Sequence, residues 1–245
     1  MGIKERRTKI LISLFLLSDT NFKSVAFSQD LQNILDLSFN QKTKNSLSSL
    51  LKEKMIEKGE GVNEYKLTES GFADLCLKFP FFRFLKTDWD GKWRIISYEI
   101  PEKKRELRDR LRREMQGWGL GPWHRSFWLT PHPIIVNLRQ LTSNREEEQY
   151  IQAFEADHSF GAQKILIDKV WETANLDKKY RELFKKWHEV LSREITKQEK
   201  LRIVIDEYVT LLKEDPGLPK ELVGESWIGF EAYNIFNEIK GILLA

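Results

Sequence analysis

DWDGKWRIISYEIPEKKRELRDRLRREMQGWGLGPWHRSFWLTP, residues Asp88–Pro131, is the stretch that sets the fold class. Trp93–Ile100 is an unbroken run rich in β-branched and aromatic residues. Pro101 ends it by removing a ladder donor, and presets the first turn of a helix. Leu107, Leu111, Met115 and Trp118 then recur every three to four residues as one apolar helical stripe. Gly117, Gly119 and Gly121 punctuate the return, and a second strand is predicted from about Trp123 to Thr130. A strand–helix–strand unit needs further strands and a covered face, so the expected class is α+β.

The rest of the chain supplies them. Its 245 residues suit two or three compact units, and 31% charged with 41% hydrophobic residues describes a folded chain, neither disordered nor membrane-embedded. A net charge of +3 is too small to announce a polyanion partner, so charge has to be judged locally. Cys76 is the only cysteine and lies in an apolar helical run, which fits a buried thiol in a reducing cytoplasm. No run approaches the ~18 apolar residues of a membrane span, and no membrane partner is expected. Lys4–Arg7 followed by Ile10–Leu17 mimics a secretion signal, but the apolar core is short, and Asp19 and Lys23 break the apolar character just after it. A first core helix explains the same residues.

From the N-terminus, Ile3–Leu17 reads as a mostly buried helix, and Ser28 caps a second helix running through Leu35. Ser38-Phe39-Asn40 turns into a third helix, Gln41–Lys52. Met55 and Ile56 enter a hairpin turning on Gly59 and Gly61 and returning through Glu64–Leu67; Thr68 caps a helix from Glu69 to Phe79, broken by Pro80. Three helices, a glycine-tipped hairpin and a closing helix predict a winged helix-turn-helix over residues 1–80. At 100° per residue, Leu47, Leu50 and Leu51 define the inner side of the third helix, flanked by Thr43 and Lys44. Gln41, Lys42, Asn45, Ser48, Ser49 and Lys52 face outward. These amides and hydroxyls suit base edges and the lysines suit phosphates, so the expected partner is double-stranded DNA. Lys58 and Lys66 flank the hairpin and complete the expected DNA-binding set.

Residues 81–170 are expected to form the middle domain. Phe79–Leu85 is too apolar for a free linker; Ile134–Leu141 predicts a helix, and Tyr150–Phe154 and Lys164–Asp168 predict strands. Lys103–Arg113 is a basic helix whose cations alternate with Glu102, Glu106, Asp109 and Glu114, the pattern of a paired, solvated face. Residues 171–245 predict a helical domain. Asn175 caps a helix to Ile195, Thr196 caps the next, Asp215–Pro219 ends it, and Trp227–Leu244 forms the last. No zinc spacing, catalytic triad, phosphate loop or dinucleotide fingerprint is present, so neither enzyme activity nor a metal or cofactor is expected.

KWRIISYEIPE (Lys92–Glu102), LRDRLRR (Leu107–Arg113), GLGP (Gly119–Pro122), FWLTP (Phe127–Pro131) and LKEDPGLPKEL (Leu212–Leu222), with Trp227 after them, resemble the PaaX-like transcriptional regulators, named for the repressor of phenylacetic acid catabolism. EYKLTESG (Glu64–Gly71) is similar to the hairpin exit of many winged-helix regulators. The resemblance implies an N-terminal winged helix, a ferredoxin-like middle domain related to the small CRISPR adaptation nuclease, and a helical C-terminal part. It further implies a homodimeric, cytoplasmic repressor that docks on an operator and answers an acyl-CoA-type effector, though no residue here specifies that ligand. In the middle domain the strand, helix, strand, helix, strand, strand order differs from the ferredoxin-like one, so either a short strand lies unread near His132 or the domain is a variant. Two rival readings come with it. One is a metal-dependent nuclease using Glu99, where the nuclease family carries an aspartate; the other is an interaction scaffold that binds no nucleic acid.

Overall fold

The computed structural model describes residues 5–18, 20–35 and 37–245, and of Asp30 the backbone alone. It is a mixed α+β structure with two small antiparallel sheets. By contact the chain forms two compact units: residues 1–76 with 178–212 and 228–245, and residues 77–177 with 213–227.

In the first unit, α1 (Arg6–Leu17), α2 (Gln29–Leu35) and α3 (Gln41–Lys52) precede β2 (Ile56–Lys58) and β3 (Glu64–Leu67), and α4 (Glu69–Lys78) comes next. The helix expected over Ile3–Leu17 is present from Arg6; Ile3, Lys4 and Asp19 lie outside the described residues. A two-residue strand, β1 (Val25–Ala26), which local sequence signals do not mark, pairs with β3 to give the order β1-β3-β2. The Ser28 hydroxyl accepts from the Leu31 amide at 3.2 Å, capping α2 as its residue type predicts. The signal-like run is buried from Thr8 to Leu16 because α1 is enclosed on nearly every side. Its last carbonyls find a cation: Lys240 Nζ donates to Leu16 O at 3.0 Å and Ser18 O at 2.9 Å.

The same unit holds most of α8 (Thr173–Ser192), with α9 (Lys197–Leu212) and α11 (Ile228–Leu244). α8 begins two residues before the expected cap at Asn175. Thr196 and Glu199 form a reciprocal capping box, the Glu199 amide donating to the Thr196 hydroxyl and the Thr196 amide to the Glu199 carboxylate, each at 3.2 Å. Trp187, Tyr208 and Phe236 are fully buried where the three helices meet, with ring centroids 4.9 to 6.3 Å apart.

The second unit corrects two strand assignments. The single strand expected over Trp123–Thr130 is a hairpin of β5 (Gly121–His124) and β6 (Phe127–Thr130), turning at Arg125, whose φ is +41°. Lys164–Asp168, expected as a strand, lies inside α7 (Gln163–Trp171). With β4 (Trp93–Tyr98), α5 (Arg105–Gly117), α6 (Ile135–Thr142) and β7 (Ile151–Ala156), the order becomes β-α-β-β-α-β, and the sheet runs β5-β6-β4-β7 with every pair antiparallel. The further strand is β5, before Phe127–Thr130 rather than near His132, and with it the order is the ferredoxin-like one and not a variant.

Each face of this sheet meets a different cover. Ile96, Tyr98 and Trp128 pack with Leu111 and Met115 of α5 and Leu138 of α6. Trp93 and Leu129 on the other face pack with Ile167 of α7 and Leu218, and Trp171 stacks on Trp93 at 6.0 Å. Leu218 belongs to Asp215–Pro219, read from sequence only as a helix stop; all five residues are buried. This plug leads to the short α10 (Lys220–Val223). His132 clasps it: Nε2–H donates to Pro216 O at 2.7 Å, while the Phe84 ring stacks on the imidazole at 4.9 Å.

Burial above all, with the charges of Arg83 and Arg94 adding to it, holds His132 neutral and pushes its pKa down to about 3. The unfolded chain takes up this proton near pH 6.5 and the folded chain does not, so this share of stability is complete above that pH and is lost as pH falls toward 3. Between pH 7 and 5 the loss is expected to be about 2 kcal/mol. In His132→Gln, which can still donate to Pro216 O, urea unfolding at the two pH values should show that share of the difference removed.

Candidate nucleic-acid interface

α3 is built from a cap, an inner stripe and an outer face. The Asn40 side chain accepts from the Thr43 amide at 3.1 Å and starts the helix. Thr43, Leu47 and Leu50 are buried, while Leu51 is half-buried. Gln41, Lys42, Lys44, Asn45, Ser48 and Lys52 are exposed, so the face read from helical angles is brought together, with one addition. Lys44 was expected on the buried flank; it projects outward, with its ammonium 5.6 Å from the Phe39 ring centroid. Within Gln41–Lys52 there are three lysines and no carboxylate. Gln41 Nε2 donates to Asn45 Oδ1 at 2.8 Å, so the two amides stand one turn apart as a pair.

Two of the expected residues are engaged within the protein. Ser49 is turned toward α1: its hydroxyl accepts from Arg7 Nη1 at 2.9 Å and donates to Glu53 Oε1 at 2.9 Å. Lys66 pairs with Glu57 at 3.0 Å, leaving Lys58 as the exposed lysine of the hairpin. The hairpin carries Glu57, Glu60 and Glu64 against those two lysines, so it is not a basic wing. Its tip is closed by the Gly61 amide donating to Glu64 Oε2 at 2.9 Å, and Val62 stands almost fully exposed there.

In the middle unit, cations of the basic helix are paired, as its alternating charges predict. Lys104 pairs with Glu146 and Tyr150, Arg108 with Glu102, and Arg110 with the buried Glu147. Two of these carboxylates, Glu146 and Glu147, are brought from the 146–150 turn rather than from the helix's own next turn. Glu99 is exposed just beyond β4, with its amide bound to Tyr150 O at 3.0 Å. Among the described residues, no group of three or more His, Cys, Asp or Glu side chains is arranged to hold a metal ion. Trp93 and Trp128 are core residues, whereas Trp123 is 40% exposed. No helix among the described residues is long and apolar enough to cross a membrane.

Residues 86–165 match the family model described as the PaaX protein central Cas2-like domain, and residues 171–245 match that described as the PaaX-like protein C-terminal domain. No curated protein matches the chain. Among solved structures, the uncharacterized protein Rv0674 from Mycobacterium tuberculosis is similar with a TM-score of 0.51 and 15% identity, covering 96% of this chain and 97% of that one. At that identity the likeness is one of fold.

Proposed function

The chain belongs to the PaaX-like family, whose members are transcriptional regulators, and from that premise we propose that it is a sequence-specific DNA-binding repressor acting as a homodimer. Residues 1–80 would be the winged-helix reader, 81–170 a ferredoxin-like dimerisation domain and 171–245 the helical C-terminal part, in a cytoplasmic protein tuned by a small-molecule effector of the acyl-CoA class. The observation that carries the reading is the exposed, carboxylate-free face of α3. Gln41, Asn45 and Ser48 are its base-reading groups, Lys42, Lys44 and Lys52 meet flanking phosphates, and Lys58 contacts the backbone from the hairpin, where Lys66 is held by Glu57. A nuclease reading is not favoured, since Glu99 has no assembled carboxylate partners among the described residues. The test is recovery of fragments from sheared genomic DNA by the purified chain. One enriched, dyad-symmetric site supports the proposal, and uniform recovery rejects it.

A dimer is supported by β7. It pairs with β4 on one side only, and Gln152–Glu155 are exposed on both faces, so its other edge presents an open ladder. Register puts Phe154 opposite Ile95 and Phe127 opposite Ser97, so both exposed phenylalanines lie on one sheet face. A second copy adding its own β7 antiparallel would cover that edge, and a two-fold dimer is the assembly that suits a dyad-symmetric operator. Light scattering should give twice 29.1 kDa for the wild type. Phe154→Lys is expected to give the single mass with the far-ultraviolet spectrum kept; an unchanged dimer would place the interface elsewhere.

A further inference from the structure

α1 opens with two consecutive arginines, and both reach α3. Arg6 Nη1 donates to Thr43 Oγ1 at 2.7 Å, and that hydroxyl donates its own proton to Ser38 O at 2.6 Å. Arg7 grips the other end. Its Nη1 donates to Glu53 Oε1 at 2.6 Å and to Ser49 Oγ at 2.9 Å, its Nη2 donates to Glu53 Oε2, and the Ser49 hydroxyl closes the ring onto Glu53 Oε1. Thr43 and Ser49 are ~9 Å apart along the helix axis, so the two grips fix orientation as well as position. Hydrogen bonding to Arg7, then to Ser49, holds the Glu53 carboxyl down at about 2, and the fork therefore stays charged throughout the working pH range.

We propose that Arg6 and Arg7 form a two-point clamp that sets the tilt of α3 on α1, with Arg7, Ser49 and Glu53 as positioning residues for base recognition rather than DNA contacts. The inference rests on α3 being the reading helix. An exposed ion pair contributes little to stability, so what a planar bidentate fork supplies here is chiefly geometry. Base-edge hydrogen bonds tolerate only ~0.5 Å of misplacement in their supporting elements. The clamp also answers an electrostatic difficulty. Glu53 stands directly after Lys52, and an unpaired carboxylate at that helix end would repel the phosphate Lys52 is proposed to meet. Arg7 neutralises it within the protein.

The experiment compares wild type, Arg7→Lys and Glu53→Gln for operator and random duplex over a range of salt, alongside amide exchange of α3. Arg7→Lys keeps the charge and loses the fork; Glu53→Gln keeps the shape and loses the charge. Both are expected to lower operator preference roughly tenfold, the scale of one misaligned bidentate base contact. In Arg7→Lys, which keeps every charge, random-duplex affinity and the salt slope should be unchanged, whereas Glu53→Gln leaves a cation uncompensated beside Lys52 and should bind random duplex somewhat more tightly. In both, the amides of Thr43–Lys52 should exchange faster. Two results overturn the clamp. One is unchanged preference and exchange in both variants; the other is a lowered preference with unchanged exchange of α3, which would make Arg7 a DNA contact rather than a positioning residue. A wild type with no operator preference at all would instead reject α3 as the reading helix.

Discussion

Gly217→Ala is expected to destabilise the unit formed by residues 77–177 and 213–227 by at least ~4 kcal/mol, a large part of the ~5–15 kcal/mol available to a folded domain. Gly217 has φ +65°, in the left-handed region, where alanine alone costs about 1 kcal/mol. Steric overlap costs more than the backbone angle. A Cβ there would lie 2.3 Å from the Pro80 carbonyl carbon and 2.4 Å from the Phe81 nitrogen, both backbone atoms that cannot rotate away. The loop cannot shift to relieve the overlap, because the Gly217 amide donates to Asp215 Oδ1 at 2.7 Å while His132 holds the neighbouring Pro216 carbonyl. Gly91 is the control: its φ is +75°, but nothing lies within 4 Å of an added Cβ. Gly91→Ala should therefore show the conformational cost alone. Urea unfolding of the two variants should separate them by ~3 kcal/mol; equal midpoints would mean that the plug yields.

That plug also marks the limit of what local sequence encodes. Asp-Pro-Gly-Leu-Pro has the composition of an exposed turn, and local chemistry predicts the turn correctly. Its burial depends on Phe81, His132 and Trp93, which are distant in the chain, and turn propensity carries no information about them. β4 and α5 were legible because Pro101 and the Leu107–Leu111–Met115 stripe are local signals. The β5–β6 hairpin was not: Arg125-Ser126 lacks the glycine or asparagine that usually marks a two-residue turn, so two short strands read as one. Ile165-Leu166-Ile167 is a short apolar run of the kind whose period does not separate strand from helix, and α7 took it because Trp171 and Ile167 bury together against Trp93. The candidate reading face divides in the same way. Helical angles placed Gln41, Asn45, Ser48 and Lys52 outward, since 100° per residue is a property of any helix. They could not place Ser49, whose partner Arg7 lies 42 positions earlier on another helix.

In the Gln41→Ala/Asn45→Ala double variant, preference for operator over random duplex is expected to fall by about 5- to 150-fold for each amide that engages an adenine edge, at ~1–3 kcal/mol apiece. The two amides are exposed and hydrogen-bonded to one another, so their removal leaves Thr43, Leu47 and Leu50 in place and the helix intact. Removing a phosphate contact acts differently. Lys52→Ala should weaken operator and random duplex alike and flatten the dependence of log affinity on log salt by about one unit, because one fewer counterion is released. The two variants thus move orthogonal readouts: specificity at fixed salt, and salt slope at fixed specificity. Leu50→Ala, in the fully buried stripe, should instead cost ~2–5 kcal/mol of stability and lower both affinities through the folded fraction alone. Competition between operator and random duplex at two salt concentrations, with each variant's folded fraction measured, distinguishes the three. If the double variant keeps the wild-type preference while folded, α3 is not the element that reads DNA.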